Sequence, residues 1–266
     1  MTYARRVTSE RSGARGRRPP DEEATGPAPR VARRPLWQEA LVVAVVAVGA
    51  ALLVKSLLLQ AFYIPSESME PGLVRNDRIL VQKISYELGG SPQRGDVVVF
   101  EDPGDWLPPD EAAGPTGTVA KAMEKVGLYP SGGHLVKRVI GIAGDSIHCC
   151  DPQGRIMVNR VALDEQGYAR EDGATCYGPM HDCTWDAGPV PEGSIFVMGD
   201  NRSHSADSSY HLCEPADPHC TPGDEYVRVD QVVGKVFVLM WPWQHFTWLH
   251  RPDSFAGVPP PARPGG

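Results

Sequence analysis

From Ala40 to Val54 the chain runs for fifteen residues without a charge, and Leu57-Leu58-Leu59 carries the run on past Lys55 and Ser56. A spanning helix needs about 20 apolar residues. Starting at Leu36, and letting Lys55 extend its amine outward to the interface, closes the gap. A cleavable secretion signal is the rival. Small polar residues should then follow, and the chain instead continues Leu59-Gln60-Ala61-Phe62. What precedes the run sets a direction. Residues 1–35 hold nine arginines against four acids (Glu10, Asp21, Glu22 and Glu23), a net +5 that leaves −12 for the rest of a chain whose total is −7. Arginines diluted by Pro and Gly, leading straight into an apolar run, read as the cytoplasmic flank of a membrane span and not as a nucleic-acid-binding face. The expectation is a disordered basic cytoplasmic segment over 1–35, a transmembrane anchor over 36–60, and a body from 61 onward outside the cytoplasm. The lipid bilayer of the cell membrane is then one partner and nucleic acid is not.

The body reads as short strands. Arg78 to Tyr86, Asp96 to Phe100, Leu135 to Ile142, Ser194 to Met198 and Val233 to Trp241 are β-branched runs bounded by Gly, Pro or Asn. With 28 Gly and 26 Pro in 266 residues, turns are favoured over long helices. One short helix is expected at Val119–Val126. A mainly β domain over 61–250 follows, with irregular insertions near 104–133 and 146–190 and a Pro-rich tail over 251–266 that has no evident reason to fold. The six cysteines all lie beyond the anchor: Cys149, Cys150, Cys176, Cys183, Cys213 and Cys220. An even number in an oxidising compartment reads most simply as disulfides. Cys176/Cys183 and Cys213/Cys220 share one spacing, and each could clip a local loop, but the connectivity stays open. A zinc set of His211, Cys213, His219 and Cys220 is the alternative, and it lacks a paired C-x-x-C.

Three blocks carry chemistry. Ile64-Pro65-Ser66-Glu67-Ser68-Met69-Glu70-Pro71 offers serines in a Pro-bounded loop just past the apolar run. Leu135-Val136-Lys137-Arg138-Val139-Ile140-Gly141 sets a lysine in a strand pattern, and Gly199-Asp200-Asn201-Arg202-Ser203-His204-Ser205-Ala206-Asp207-Ser208 is a polar loop after another strand. A serine hydroxyl attacks a peptide bond only when a base takes its proton. No G-x-S-x-G elbow is present and no S-x-x-K follows Ser66 or Ser68. His204 with Asp207 could build a Ser-His-Asp arrangement. Lys137 is the other candidate base. On a strand it shares a face with Leu135 and Val139, while Val136, Arg138 and Ile140 face the other way. An amine held among apolar neighbours loses its proton more easily. Bringing it from ~10.4 to neutrality near pH 7 takes roughly 4–5 kcal/mol, which burial can supply and open solvent cannot. The commoner fate of such a residue is an edge-strand lysine with its tip in water.

Taken together and in this order, the three blocks resemble those of type I signal peptidase, a membrane-anchored Ser/Lys protease; Gly95-Asp96-Val97-Val98-Val99-Phe100 fits that family's remaining block. The resemblance implies a signal-peptidase-like antiparallel β-sheet catalytic domain tethered by one N-terminal transmembrane helix. It implies endopeptidase removal of N-terminal signal peptides from exported preproteins, with Ser68 as nucleophile and Lys137 as general base. It also implies Ser66 as an oxyanion group and Ser205 as the serine that hydrogen-bonds and orients the lysine. The resemblance further implies Asp200, Arg202, Asp207 and Arg138 as supporting residues. No metal or cofactor is implied. The family pattern usually continues Asp-Ser-Arg where this chain reads Asp207-Ser208-Ser209, so Asp207 lacks its expected local cation, and Asp200 could pair with Arg138 instead. A Ser/Lys protease dedicated to one exported protein, and a membrane-tethered β domain that binds without catalysing, remain as alternatives.

Overall fold

The computed structural model describes residues 35–87, 89–104, 106–109, 117–125, 132–170, 184–213 and 220–261. The basic segment 1–34, Cys176, Cys183 and His219 lie outside them. The chain divides into two compact units, Met1–Val45 and Val46–Gly266. What is described of the first is the start of helix α1 (Leu36–Leu58), 23 residues without interruption. Leu41, Val42, Val43, Val45, Val46 and Val48 are each more than half exposed along it, so the helix has no polar face to turn toward water. Among the described residues no helix is long and apolar enough to cross a membrane. The side chain of Lys55 lies outside the described residues.

The helix gives way directly to a strand. The strands are β1 (Leu59–Tyr63), β2 (Arg78–Gln82), β3 (Val97–Glu101), β4 (His134–Ile142), β5 (Ile147–His148), β6 (Met157–Val158), β7 (Val161–Ala162), β8 (Asp186–Ala187), β9 (Ser194–Met198), β10 (Val227–Arg228), β11 (Val232–Trp241) and β12 (Thr247–Trp248). Leu59 and Gln60, expected to close the anchor, instead pair with Gln82 and Val81 of β2. Likewise the run Arg78 to Tyr86 is a strand only to Gln82, and Ile84–Glu87 turns into the short helix α2. The helix expected at Val119–Val126 is α3, Thr118–Lys125.

Eight strands form one sheet in the order β1-β2-β11-β3-β4-β9-β10, with β12 added to β11. The pairings are antiparallel throughout. β3 shows why its sequence is apolar without alternation. Val97 and Val99 pack with Phe62, Met69, Ile79 and Val81 on one face. Val98 and Phe100 pack with Leu135, Ile195 and Val197 on the other. A strand covered on both faces needs apolar residues at every position.

The described parts of the 146–190 insertion, 146–170 and 184–190, hold more regular structure than their Gly- and Asp-rich sequence suggests. They build a second, four-stranded sheet in the order β7-β6-β5-β8. Asn159 and Arg160, at φ 50 and 69, make the two-residue turn between β6 and β7. Ile147, Ile156, Val158 and Leu163 of this region share a core with Phe196 and Met198 of β9. Phe255 and Val258 of the Pro-rich tail join that core, and Arg94 Nη1 donates to the Val258 carbonyl at 3.3 Å. The tail is therefore docked as far as it is described. Cys149 is joined to its neighbour Cys150, and Cys213 to Cys220. The second bond removes two thiolates from the zinc alternative, and no metal-holding group of three occurs among the described residues.

Candidate active site

The loop after β1 is pinned on both sides of its serines. The Ile64 N–H donates to the Asp77 carbonyl at 2.9 Å, and the Asn76 N–H to the Ile64 carbonyl at 2.9 Å. Ile64, Met69 and Leu73 are buried in the core beneath β1 and β2. Between these apolar pegs the chain turns tightly, the Glu70 N–H reaching the Glu67 carbonyl at 3.1 Å and the Leu73 N–H the Met69 carbonyl at 2.9 Å. Ser68 is thereby held at 5% exposure. Ser66 stands exposed beside it, with 3.2 Å between the two Oγ atoms.

Lys137 comes from the middle of β4, paired across the ladder with Val98 of β3. Its neighbours on that face, Leu135, Val98 and Val139, belong to a buried cluster, and the lysine itself is 4% exposed. The Nζ atom lies 2.6 Å from Ser68 Oγ. Burial pushes the amine down to about 8, against the opposing pull of the Asp207 and Asp200 carboxylates. The penalty on its charged form is desolvation. An amine in this state carries a free lone pair in a useful fraction of molecules at neutral pH. This is the arrangement a proton acceptor for Ser68 requires.

The loop after β9 holds these two in place. Its first residue, Gly199, has no room for a side chain: a Cβ would stand 2.3 Å from Ser205 Oγ and 2.4 Å from the Ser68 carbonyl oxygen. Asn201, which the sequence did not single out, is fully buried. Its N–H donates to the Ser68 carbonyl at 3.0 Å, and its Nδ2 to the Glu67 carbonyl at 3.1 Å. Only its position between Asp200 and Arg202 could have drawn attention to it.

The supporting residues divide between two places. Arg138, on the face of β4 away from Lys137, grips Asp200 in a fork at 2.8 and 2.6 Å and donates to the Gly95 carbonyl at 2.9 Å. Arg202 donates from Nε to the Gly199 carbonyl at 2.8 Å and pairs with buried Glu165 at 2.6 Å. Neither arginine is bonded to Ser68 or Lys137. Ser205, expected to hydrogen-bond the lysine, donates instead to Asp207 Oδ2 at 2.5 Å and accepts the Gly199 N–H at 3.1 Å. The carboxylate wins because it is the stronger acceptor and sits two residues away. Asp207 also accepts from the Ser209 hydroxyl at 2.7 Å, the Ser209 N–H at 3.0 Å and the Gly199 N–H at 2.8 Å. Ser209 thus satisfies the carboxylate without neutralising it. His204 is exposed and its Nδ1 lies 3.0 Å from Ser203 Oγ. It is not bonded to Asp207, so the Ser-His-Asp alternative has no geometry behind it.

The chain matches the family described as "Signal peptidase, peptidase S26" over residues 37–241. It is 36% identical over 240 residues to a probable signal peptidase I of Mycobacterium leprae (strain TN), covering 83% of this chain and 81% of the relative. To the signal peptidase I of Mycobacterium tuberculosis (strain ATCC 25618 / H37Rv) it is 38% identical over 232 residues, or 80% of this chain and 76% of the relative. A solved signal peptidase I from Enterococcus faecalis V583 aligns at 23% identity and a TM-score of 0.29, over 54% of this chain and 95% of its own.

Proposed function

The chain belongs to the signal peptidase family, peptidase S26, and on that premise we propose that it is a serine endopeptidase that removes N-terminal signal peptides from exported preproteins, with Ser68 as nucleophile and Lys137 as base. The observation that carries the assignment of roles is the 2.6 Å contact between Lys137 Nζ and Ser68 Oγ, both residues at 5% exposure or less.

Neutral Lys137 accepts the hydroxyl proton as Ser68 Oγ attacks the carbonyl carbon of the scissile bond. The oxygen that gains charge is received by the Ser68 N–H and the hydroxyl of Ser66, whose Oγ stands 3.2 Å from that of Ser68. The lysine ammonium returns its proton to the departing amine, and the N-terminal fragment stays bound as an ester on Ser68. Lys137, neutral again, deprotonates a water that attacks this ester, and the serine leaves with the proton. The signal peptide lies against the site as an added β-strand, which directs alternate small side chains into the enzyme.

The same reading makes Leu36–Leu58 the membrane anchor, with the arginine-rich segment on the cytoplasmic side and the β domain on the other. Its support lies in the sequence, where the uncharged run Ala40–Val54 follows closely on the arginine-rich segment and is carried on one unbroken helix. Ser68 follows Leu59 by nine residues, which keeps it within about 30 Å of the membrane surface where a signal peptide emerges.

The test is cleavage of one model preprotein by the detergent-solubilised full chain. Ser68→Ala and Lys137→Ala should each lower the rate by at least about a thousandfold while remaining folded. Cleavage retained by either variant refutes the assignment.

A further inference from the structure

Three elements must be in register for Ser68 to meet Lys137: the loop carrying Ser68, strand β4, and the loop after β9. A single six-residue segment of the inserted region, Glu165–Arg170, touches all of them. On the Ser68 loop, Ala169 bridges to Pro71 in antiparallel fashion, and Arg170 Nη1 donates to Glu70 Oε2 at 2.9 Å, two residues from the serine. On the loop after β9, the Arg170 N–H donates to the Asp200 carbonyl at 2.9 Å, and Glu165 pairs with Arg202 at 2.6 Å, both of them buried. On β4, the guanidinium of Arg138 lies over the Tyr168 ring, 4.5 Å from its centroid, while the Tyr168 hydroxyl donates to Glu165 Oε1 at 3.1 Å.

Tyr168 and Ala169 of this segment join the same buried core as Ile156 and Leu163 and anchor it, while the side chains of Glu165 and Arg170 go to charged groups on the two loops, Arg202 and Glu70. Charge-assisted bonds to both loops are directional, so they fix position as well as adding stability. The outermost of them, Arg170 to Glu70, has side chains 46% and 24% exposed, and an ion pair so open to water contributes little to folding. Its contribution is therefore to where Glu70, and with it Ser68, is held.

Resting on the proposed Ser/Lys reading, we propose that Arg170 and Glu165 are positioning residues: through Glu70 and Arg202 they hold the two loops in the register that sets Ser68 against Lys137. A displacement of the nucleophile by a fraction of an ångström slows bond-making while leaving the substrate-binding edge in place, so the effect falls on kcat and not on KM.

The test uses the full chain in detergent with one model preprotein, measuring kcat, KM and melting temperature for wild type, Arg170→Ala, Arg170→Lys, Glu70→Ala and the double alanine variant. Arg170→Ala should lower kcat by roughly tenfold with KM within about twofold and an unchanged melt. Arg170→Lys should recover most of the loss, and the double variant should lose no more than either single one. A kcat within about twofold of wild type in Arg170→Ala, additive losses, or a loss that appears in KM or tracks the melting temperature overturns the positioning role alone. Failure of wild type to cleave, or cleavage by Ser68→Ala, overturns the enzymatic reading beneath it.

Discussion

The Ser205 hydroxyl donates its proton to Asp207 at 2.5 Å, and the Lys137 amine beside them keeps Ser68 as its side-chain hydrogen-bond partner. The division matters because an amine bonded to several acceptors would be held in its charged form. Here the nearby carboxylate is occupied by four neutral donors. Its charge still reaches the lysine through space, but burial wins, and the amine rests at about 8.

Activity should follow that value. On the proposed mechanism Lys137 works only when neutral, so kcat/KM for a model preprotein should be level above pH about 8 and fall roughly tenfold for each pH unit below it. A profile flat down to pH 6 would mean that another group takes the Ser68 proton.

Asp207 sets how far the lysine descends, because its charge raises the amine against the effect of burial. Removing the charge in Asp207→Asn should move the acid limb of the profile to lower pH and leave a larger active fraction at pH 6. The same change introduces an amide donor among the Ser205 and Ser209 hydroxyls and the Gly199 N–H, at a cost of about 1–3 kcal/mol in denaturant unfolding. A limb that moves up, or stays, would show that the carboxylate does not govern the base.

Stability also rises with pH, but in a higher window than activity. The ordinary lysine value is 10.5 and the folded value about 8, so between them the unfolded chain binds more protons. Stability conferred at this position therefore rises with pH across that window, and below pH 8 the full penalty of about 3 kcal/mol is present. Lys137→Met keeps an unbranched apolar side chain and removes the penalty. It should melt several degrees above wild type at pH 6–7, with the difference shrinking as pH approaches 10.5, and on the proposed mechanism it should not cleave. Equal melting at pH 6 would place the amine in a wetter site than the strand provides.

What could be read from the residues alone was local. Pro65 and Pro71 around Ser68, and Lys137 in a β-branched run, announce themselves within eight residues of sequence. Arg138 with Asp200 was within reach for the same reason, as two charges in named blocks. Asn201, Glu165 and Arg170 were not, since their partners Glu67, Arg202 and Glu70 lie 37 to 134 positions away, and nothing in a polar side chain tells which distant group it meets. The second sheet was illegible for a different reason. Strands of two residues are too short to show a period of two. Phe255 and Val258 belong with these, as isolated apolar residues among prolines whose burial depends on a core assembled from residues 140–198.

Gly199 offers the sharpest test of how closely the two loops are set. In Gly199→Ala the new methyl would meet Ser205 Oγ at 2.3 Å, its Cβ at 2.6 Å and the Ser68 carbonyl oxygen at 2.4 Å. The first can rotate away, but that breaks the bond to Asp207. The carbonyl cannot move without carrying Ser68 with it, because the Asn201 N–H holds it from the same side. Relief must come from separating the loops by about an ångström, and at that displacement the Ser68–Lys137 bond is lost. The variant should therefore lose about a hundredfold in kcat and 1–3 kcal/mol of stability from overpacking. Because Gly199 carries no positive φ, an unstrained backbone would tolerate alanine if space alone permitted. Near-normal cleavage by Gly199→Ala would show that the loops are not in contact when the enzyme turns over, and the geometry assigned to Ser68 would have to be given up.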